Sequence, residues 1–400
     1  MKKIVVIGAF DRYNYGDNLM PILFEFFLKK FYPNVFSNYE IVYSALVDSD
    51  LTKYKAKKTI AMHKVLGKKN EHPHSIISIG GEVLGASSST LFLHMNNSKA
   101  ANIFIAFLKK YRMTFFADIL CKNIYKLPWE YPYLPPKLSG TLTVFNTIGG
   151  DVSKYSLSQR LNKIRIRISN SDYLSVRDSR VVKSIDGFSS PNLLPDSAIV
   201  MGDLITDDFL INECSDKIFK LKNKSYICFQ AAPKKSGATA VEWAKTLSEI
   251  SEKYNLEVIL CPIGYANGHD DIDFLKEIHK NMLGKSTLVY ELTLWEIMFV
   301  IKNSTIFLGT SLHGVITALS FSVPYIGLNP NVVKLDAFLK DWGISPSNRC
   351  YSANEILNVI ESILQIDEHD YNLHSVQLKK LGMENNHLLV NALGISKENQ

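Results

Sequence analysis

Short apolar runs, several stopping at a glycine and most followed by a segment of helical periodicity, recur along almost the whole chain. The first covers residues 4–8, Ile-Val-Val-Ile-Gly, the pattern of a strand buried on both faces of a parallel sheet. Asp17 or Asn18 then stands where a helix cap belongs, with Leu19, Leu23, Phe26, Phe27 and Lys30 at helical spacing behind it. Residues 40–46, 75–81, 142–148 and 173–176 continue the strands, with a helix over 157–168. The second half repeats the theme. Strands over 226–229, 256–261, 287–290, 305–308 and 324–328 alternate with helices over 241–254, 271–282, 293–302, 315–321 and 335–342. Such alternation calls for parallel sheets covered by helices. At 400 residues the chain exceeds one ordinary core, given roughly 100–200 residues per domain. The expected architecture is α/β with two Rossmann-like domains, 1–205 and 206–400, the second carrying C-terminal helices. They join near 201–224, where the polar, acidic stretches 203–208 and 212–216 mark a hinge. Ligands of open parallel sheets bind beyond the carboxyl ends of strands, so the active site is expected there, in an interdomain cleft.

Composition narrows the partners. An apolar content of 46% and a charged content of 21% are those of a globular protein, with only residues 395–400 expected to fray. The net charge of +6 comes from scattered basic residues with small clusters at 53–58, 68–69 and 109–112, short of a nucleic-acid stripe. It suits anionic small molecules, an anionic membrane surface, or simply a slightly basic exterior. Cys121, Cys214, Cys228, Cys261 and Cys350 form no CxxC pair, so no zinc knuckle is expected. Cys228 and Cys261 lie in apolar strands as core residues, and the odd count with wide spacing favours a reducing compartment. The first apolar run ends at Asp11 and Arg12, too early for a signal segment, and no uncharged run approaches the roughly 18 residues of a membrane span. A cytoplasmic protein is expected, with peripheral contact at the inner membrane face left open and the oligomeric state undetermined. Residues 108–138, LKKYRMTFFADILCKNIYKLPWEYPYLPPKL, break the rhythm. They read either as an amphipathic flap for a membrane or lipid-linked acceptor, or as a packed helical hairpin followed by a Pro-rich loop.

Six strand-end segments carry possible chemistry. Gly8 and Gly16 bracket a loop holding Asn14 and Asp17 before a helix, whose first N–H groups and dipole suit an anion; the spacing is no dinucleotide fingerprint. Gly80-Gly81-Glu82 lets backbone approach a ligand, with Glu82 orienting a sugar hydroxyl, or is a tight turn. In Ser175-Val176-Arg177-Asp178-Ser179, Arg177 can fork onto carboxylate or phosphate, or pair with another acid; Asp178 is a base or a helix cap. Asp196, in Leu194-Pro195-Asp196-Ser197-Ala198, faces the cleft or serves a turn. Asp270-Asp271, after Pro262-Ile263-Gly264-Tyr265, invite a metal reading, but no matching acidic cluster exists; helix capping plus a hydroxyl contact is preferred, and no metal is expected. Gly309-Thr310-Ser311-Leu312-His313-Gly314 closes an apolar strand and opens a helix apolar nearly all round. His313 at such a start can donate to an anion or pass protons near neutral pH, or be structural.

Taken in order, Asn14-x-Gly16-Asp17, Gly80-Gly81, Ser175-x-Arg177-Asp178, Pro195-Asp196-Ser197-Ala198, the Asp pair, His313-Gly314, Pro324 and the helix at Lys334-Leu335 resemble the polysaccharide pyruvyl transferase family, over roughly residues 4–345. The resemblance implies a GT-B-like fold and transfer of a pyruvyl group from phosphoenolpyruvate, the donor substrate, to a sugar or lipid-linked saccharide, forming a ketal and releasing phosphate, without a cofactor. It implies that Arg177 grips the donor, that His313 contacts phosphate or supplies the proton, and that Asp17 and Asp178 position the acceptor or take its proton. Asn14, Gly16, Gly80, Gly81, Glu82, Ser311 and Gly314 are then binding positions. Many members carry Arg two residues before the His; here that residue is Ser311, and Lys234, Lys235 or Arg12 would have to replace its charge. Two other functions remain: a nucleotide-sugar glycosyltransferase of the same fold, and a non-catalytic sugar-binding relative.

Overall fold

The computed structural model describes residues 1–67, 72–96, 98–111, 113–152, 159–264 and 271–395. Seven strands form one sheet: β1 Lys2–Ile7, β2 Tyr39–Ala45, β3 Ile60–Ala61, β4 Ser75–Ile79, β5 Leu142–Ile148, β6 Tyr173–Val176 and β7 Asn192–Leu193, in the order β3-β2-β1-β4-β5-β6-β7. Six form the other: β8 Tyr226–Gln230, β9 Glu257–Leu260, β10 Ser286–Leu288, β11 Ile306–Gly309, β12 Tyr325–Leu328 and β13 Cys350–Tyr351, in the order β10-β9-β8-β11-β12-β13. Every pair in both sheets is parallel. Each sheet thus has the doubly wound order, reversing between β1 and β4 in the first and between β8 and β11 in the second. In open parallel sheets ligands bind beyond the carboxyl ends of the strands at such reversals.

The strands form where β-branched and aromatic residues run together: Ile4, Val5, Val6 and Ile7 are fully buried, as are Tyr226, Ile227, Cys228 and Phe229. One core gathers around Val5, Ile7, Ile76, Phe145 and Ile164 in the first unit, another around Ile227, Phe229, Trp243, Leu308 and Ile326 in the second. Cys121, Cys228, Cys261 and Cys350 are buried thiols, and burial pushes the Cys121 pKa up to about 11. The three two-residue strands β3, β7 and β13 were not expected; such short segments carry no readable period. The helix expected over 315–321 spans Leu312–Ser320, every residue of it buried, so His313 and Gly314 lie inside its first turn.

The chain divides into two compact units, Met1–Tyr13 with Met20–Ser197 and Glu384–Gln400, and Asn14–Leu19 with Ala198–Met383. The division differs from 1–205 and 206–400 in three respects. It falls after Ser197, and the stretch expected as a hinge folds into short helices, Met201–Leu204, Asp207–Glu213 and Asp216–Phe219, of the second unit. The end of the Glu368–Ala392 helix returns to the first unit, where Asn385 donates to Asn146 at 2.7 Å and accepts from Tyr173 at 2.9 Å. Asn14–Leu19, next in sequence to β1, groups with the second unit.

Residues 108–138 contribute the end of a helix Lys99–Lys110, a second helix Thr114–Ile124 and a Pro-rich loop. Trp129, Tyr131, Tyr133 and Leu134 of that loop belong to the first core. The Trp129 indole donates to the Pro132 carbonyl at 2.9 Å, and Arg167 to the Leu134 carbonyl at 2.7 Å. The hairpin-and-loop alternative therefore describes the backbone. No helix among the described residues is long and apolar enough to cross a membrane.

Candidate active site

In the first unit the strand-end loops meet around Arg177. The residue follows β6 directly and is buried, its Nη1 donating to Asp196 Oδ2 at 3.1 Å and its Nη2 to Glu82 Oε1 at 2.8 Å. Asp178, also buried, caps the helix Ser179–Ser184 by accepting from the Val181 N–H at 3.1 Å. Arg180, one turn on, donates to Asp178 at 3.3 Å and to Glu82 at 3.0 Å. Burial by itself lowers the Arg177 pKa, but the carboxylates of Glu82, Asp196 and Asp178 outweigh it and hold the guanidinium above its ordinary range. Gly80 and Gly81 turn with φ of +55° and +72°, a left-handed conformation that delivers Glu82 to the two arginines. The cluster is a network of full charges. Of its members, Glu82 (side chain 40% exposed) and Arg180 (19%) reach solvent, whereas Arg177 does not. The ion-pair and capping alternatives for Arg177 and Asp178 are the ones realised. Asp196 is fully buried and pairs with Arg177. Arg180 was missed; its sequence signal is the repeat of Arg three residues after Arg177, on the same helix-start face. Asp11 was missed as well. It is buried, accepts from Leu46 N–H at 2.9 Å and Val47 N–H at 3.3 Å, and burial raises its pKa.

The second unit builds its strand-end cluster differently. At the reversal between β8 and β11, Thr310 donates its hydroxyl to Gln230 Oε1 at 3.4 Å and accepts from the Ala232 N–H at 3.2 Å. The Gln230 amide donates to Asp271 at 2.8 Å, and the same carboxylate accepts from the N–H groups of Ile263 at 3.1 Å and Gly264 at 3.4 Å. Asp271 stands at the start of the Ile272–Asn281 helix but makes no side-chain cap there. The capping expected of it is replaced by a grip on the loop after β9; Asp270 lies outside the described residues. Burial pushes the Asp271 pKa up to about 6, against the opposing effects of Gln230, the two N–H groups and Lys235. Gln230 was missed, although an amide closing an otherwise apolar strand is a readable signal.

The loop after β9 holds the Asn14–Asp17 segment. Asn14 bridges to Gly264 and the Tyr15 N–H donates to the Ile263 carbonyl at 3.3 Å. The helix starts at Tyr15, so Asn14 takes the cap position expected of Asp17 or Asn18. Asn18 reaches back with its Oδ1 to the Asn14 N–H at 2.9 Å, and Asp17 falls in the first turn, half-buried, where a carboxylate complements the dipole. Gly16 faces His313 so closely that a Cβ on it would lie 1.8 Å from the imidazole Nδ1. Tyr15 and Thr317 share a hydrogen bond of 2.9 Å, and Thr317 donates to the His313 carbonyl at 2.7 Å, tying the two helix starts together. Ser311 caps its helix by accepting from the Gly314 N–H at 3.2 Å, and Gly314 packs on the Phe307 ring. Lys234 is exposed and Lys235 half-buried on the loop after β8, pinned where Asn329 donates to the Lys235 carbonyl at 3.0 Å. Among the described residues no group of three or more His, Cys, Asp or Glu is placed to hold a metal ion.

The contact between Asn14–Asp17 and the His313 turn joins residues from both ends of a single family signature. A model of the polysaccharide pyruvyl transferase family matches residues 14–331. The chain belongs to that family. None of the curated proteins matches it. Solved structures similar to this pyruvyl transferase family member include the S. aureus MnaA–UDP co-structure, at 15% identity and a TM-score of 0.56, covering 100% of this chain and 99% of that one. A putative UDP-N-acetylglucosamine 2-epimerase from Listeria monocytogenes gives 12% and 0.55, covering 100% and 98%. The UDP-GlcNAc 2-epimerase from Neisseria meningitidis bound to UDP-GlcNAc gives 11% and 0.51, covering 99% and 100%. At such identities the likeness is one of fold, and the fold of this pyruvyl transferase family member is GT-B-like.

Proposed function

We propose that this family member transfers a pyruvyl group from phosphoenolpyruvate to two hydroxyls of a sugar in a cell-surface polysaccharide or its precursor. The reaction balances without a cofactor. A proton adds to the enol CH₂ carbon, which becomes the ketal methyl; the two sugar oxygens bond to the adjacent carbon; the bond from that carbon to the phosphate oxygen breaks; inorganic phosphate leaves. Of the two hydroxyl protons, one replaces the proton delivered to carbon and the other leaves on phosphate. The observation that carries the reading is the contact of Gly16 with His313 at the start of a fully buried helix. A helix start offers N–H donors and a positive dipole end to a phosphate or carboxylate. Lys234 and Lys235 supply the charge that Ser311 does not. His313 is the group proposed to deliver the proton or hold the leaving phosphate, and Asp17, in the first turn of the Tyr15–Phe31 helix, is proposed to position the acceptor or take its proton. Arg177 and Asp178, engaged within their own network, are proposed as positioning residues for Glu82 and Arg180.

The test is release of phosphate from phosphoenolpyruvate with a panel of simple and lipid-linked sugars. Release with one acceptor, lowered about a hundred- to ten-thousand-fold by His313→Gln, is the expected outcome. Release unaffected by His313→Gln would remove the proposed role. The fold shared with proteins solved with UDP or UDP-GlcNAc favours one second reading, a nucleotide-sugar transferase. Thermal stabilisation by nucleotide sugars and none by phosphoenolpyruvate would favour that reading over ours. A biological output indifferent to His313→Ala would instead point to a non-catalytic sugar-binding protein.

A further inference from the structure

The helices Lys99–Lys110 and Thr114–Ile124 are apolar on two sides. Their inner sides pack a small separate core of Phe92, Ile105, Leu108, Ala117 and Cys121. Their outer sides remain bare: Phe104, Phe107, Tyr111, Phe115, Phe116 and Ile124 are 52–61% exposed. Ten of the 23 exposed large apolar side chains among the described residues fall within 103–124, which makes this a patch and not ordinary surface scatter. A helix normally needs one apolar stripe to hold it on its domain; a second needs a second partner.

Charge selects the partner. Between residues 99 and 126 the sequence has six Lys or Arg and one acid. That acid, Asp118, is buried and accepts from the Ser89 N–H at 2.9 Å. Lys99, Lys110 and Lys126 of the same segment are exposed and Lys122 is half-buried, with no exposed carboxylate among the described residues of the segment. A second copy of this chain docking through the same face would set lysines against lysines, because a two-fold interface is self-complementary. An anionic bilayer supplies both an apolar interior for the rings and counter-charge for the lysines. At 12 and 11 residues the helices are too short to span a membrane, which takes about 20. We infer that this hairpin is a peripheral membrane anchor, lying in the headgroup boundary of an anionic lipid surface with its phenylalanines inserted. The inference is independent of the reaction proposed above.

Co-sedimentation of the full chain with vesicles tests it. The protein should pellet with phosphatidylglycerol–phosphatidylcholine vesicles and stay in solution with pure phosphatidylcholine. Added salt should weaken the binding. Phe104→Ser/Phe107→Ser/Phe115→Ser/Phe116→Ser should lower it at least tenfold while circular dichroism stays unchanged. Should that variant fold poorly, Lys99→Glu/Lys110→Glu/Lys126→Glu, which alters only exposed charges, must give the same loss. Wild-type protein that ignores anionic vesicles overturns the proposal, as does binding that survives both variants. A dimer by light scattering that the phenylalanine variant dissolves, with no vesicle binding, would assign the face to a second copy instead.

Discussion

The two strand-end clusters solve the same problem with opposite chemistry. Each lies at the carboxyl ends of a parallel sheet of the same winding order and must hold polar loops in place. The first unit uses full charges: two arginines and three carboxylates, with Arg177, Asp178 and Asp196 buried. The second is held by an amide, hydroxyls and backbone N–H groups around the Asp271 carboxylate, whose proton is held up to about pH 6. In the first, each full charge already has an opposite charge beside it. A helix start favours an anion through its N–H groups and dipole. The reading proposed above accordingly puts the donor anion at the His313 turn and the Lys234–Lys235 loop and makes Arg177 a positioning residue.

Breaking the charged cluster should have the largest effect on stability. Arg177→Ala removes the guanidinium that pairs with the buried Asp196, and losing one partner of a buried pair typically costs about 3–5 kcal/mol. Arg177→Lys keeps the charge but cannot fork to Asp196 and Glu82 together, so it should fall between. Denaturant unfolding of the two variants measures both; an Arg177→Ala protein as stable as wild type would mean the network is solvated.

In the second cluster the sensitive quantity is space. Gly16 lies within a helix, where replacement by Ala ordinarily gains about 0.5–1 kcal/mol. Here the new Cβ would meet the His313 ring at 1.8 Å, and the helix start or the ring must move. Overpacking of this kind costs about 1–3 kcal/mol, so the clash wins. Gly16→Ala should be destabilised and lose phosphate release at least tenfold. Gly16→Ala/His313→Ala should recover most of the stability and none of the activity. Additive stability losses in that double variant would show that the two residues do not touch.

The carboxylate of the second cluster gives a pH signature. Asp271 titrates at about 6 when folded against an ordinary 3.8, so the folded state binds the proton more tightly than the unfolded chain. Its contribution is fully present below about pH 4 and is lost as pH rises through 6. The change is at most about 3 kcal/mol, since one pKa unit is about 1.4 kcal/mol. Thermal melts between pH 4 and 6.5 should show this fall in wild type relative to Asp271→Asn, after the shared background is subtracted. Parallel curves would place the Asp271 pKa in the ordinary range.

The ten longest strand cores and the alternation that orders them were legible because apolar runs report burial directly. The four residues of Tyr173–Val176 and the seven of Leu142–Ile148 were read to the residue. What was not legible depends on contacts across long sequence separation. Nothing local in Asn14–Leu19 says that it packs with residues 263 and 313 and not with the strand it follows. Nothing local in Arg177 says that Glu82 and Asp196 will occupy it. Asp271 shows the same limit: its place at a helix start suggested a cap, and the competing acceptor role for Gln230 exists only once β8 and the loop after β9 lie side by side.

The smallest effect concerns Ser311, the residue standing where family members often carry Arg. Its hydroxyl oxygen caps the Leu312–Ser320 helix through the Gly314 N–H. An arginine there could offer charge but no such cap, so the position trades one for the other. Ser311→Ala should cost about 1 kcal/mol, the usual worth of a cap, and Ser311→Thr should restore most of it. If the hydroxyl only caps, the KM for phosphoenolpyruvate stays unchanged in both variants. Ser311→Arg then separates the two contributions: it should lower stability by about the same 1 kcal/mol while tightening the donor KM, because the added guanidinium sits beside a helix start that favours anions. A Ser311→Arg protein with weaker donor binding would put the donor's negative groups elsewhere, and with them the distinction drawn between the two clusters.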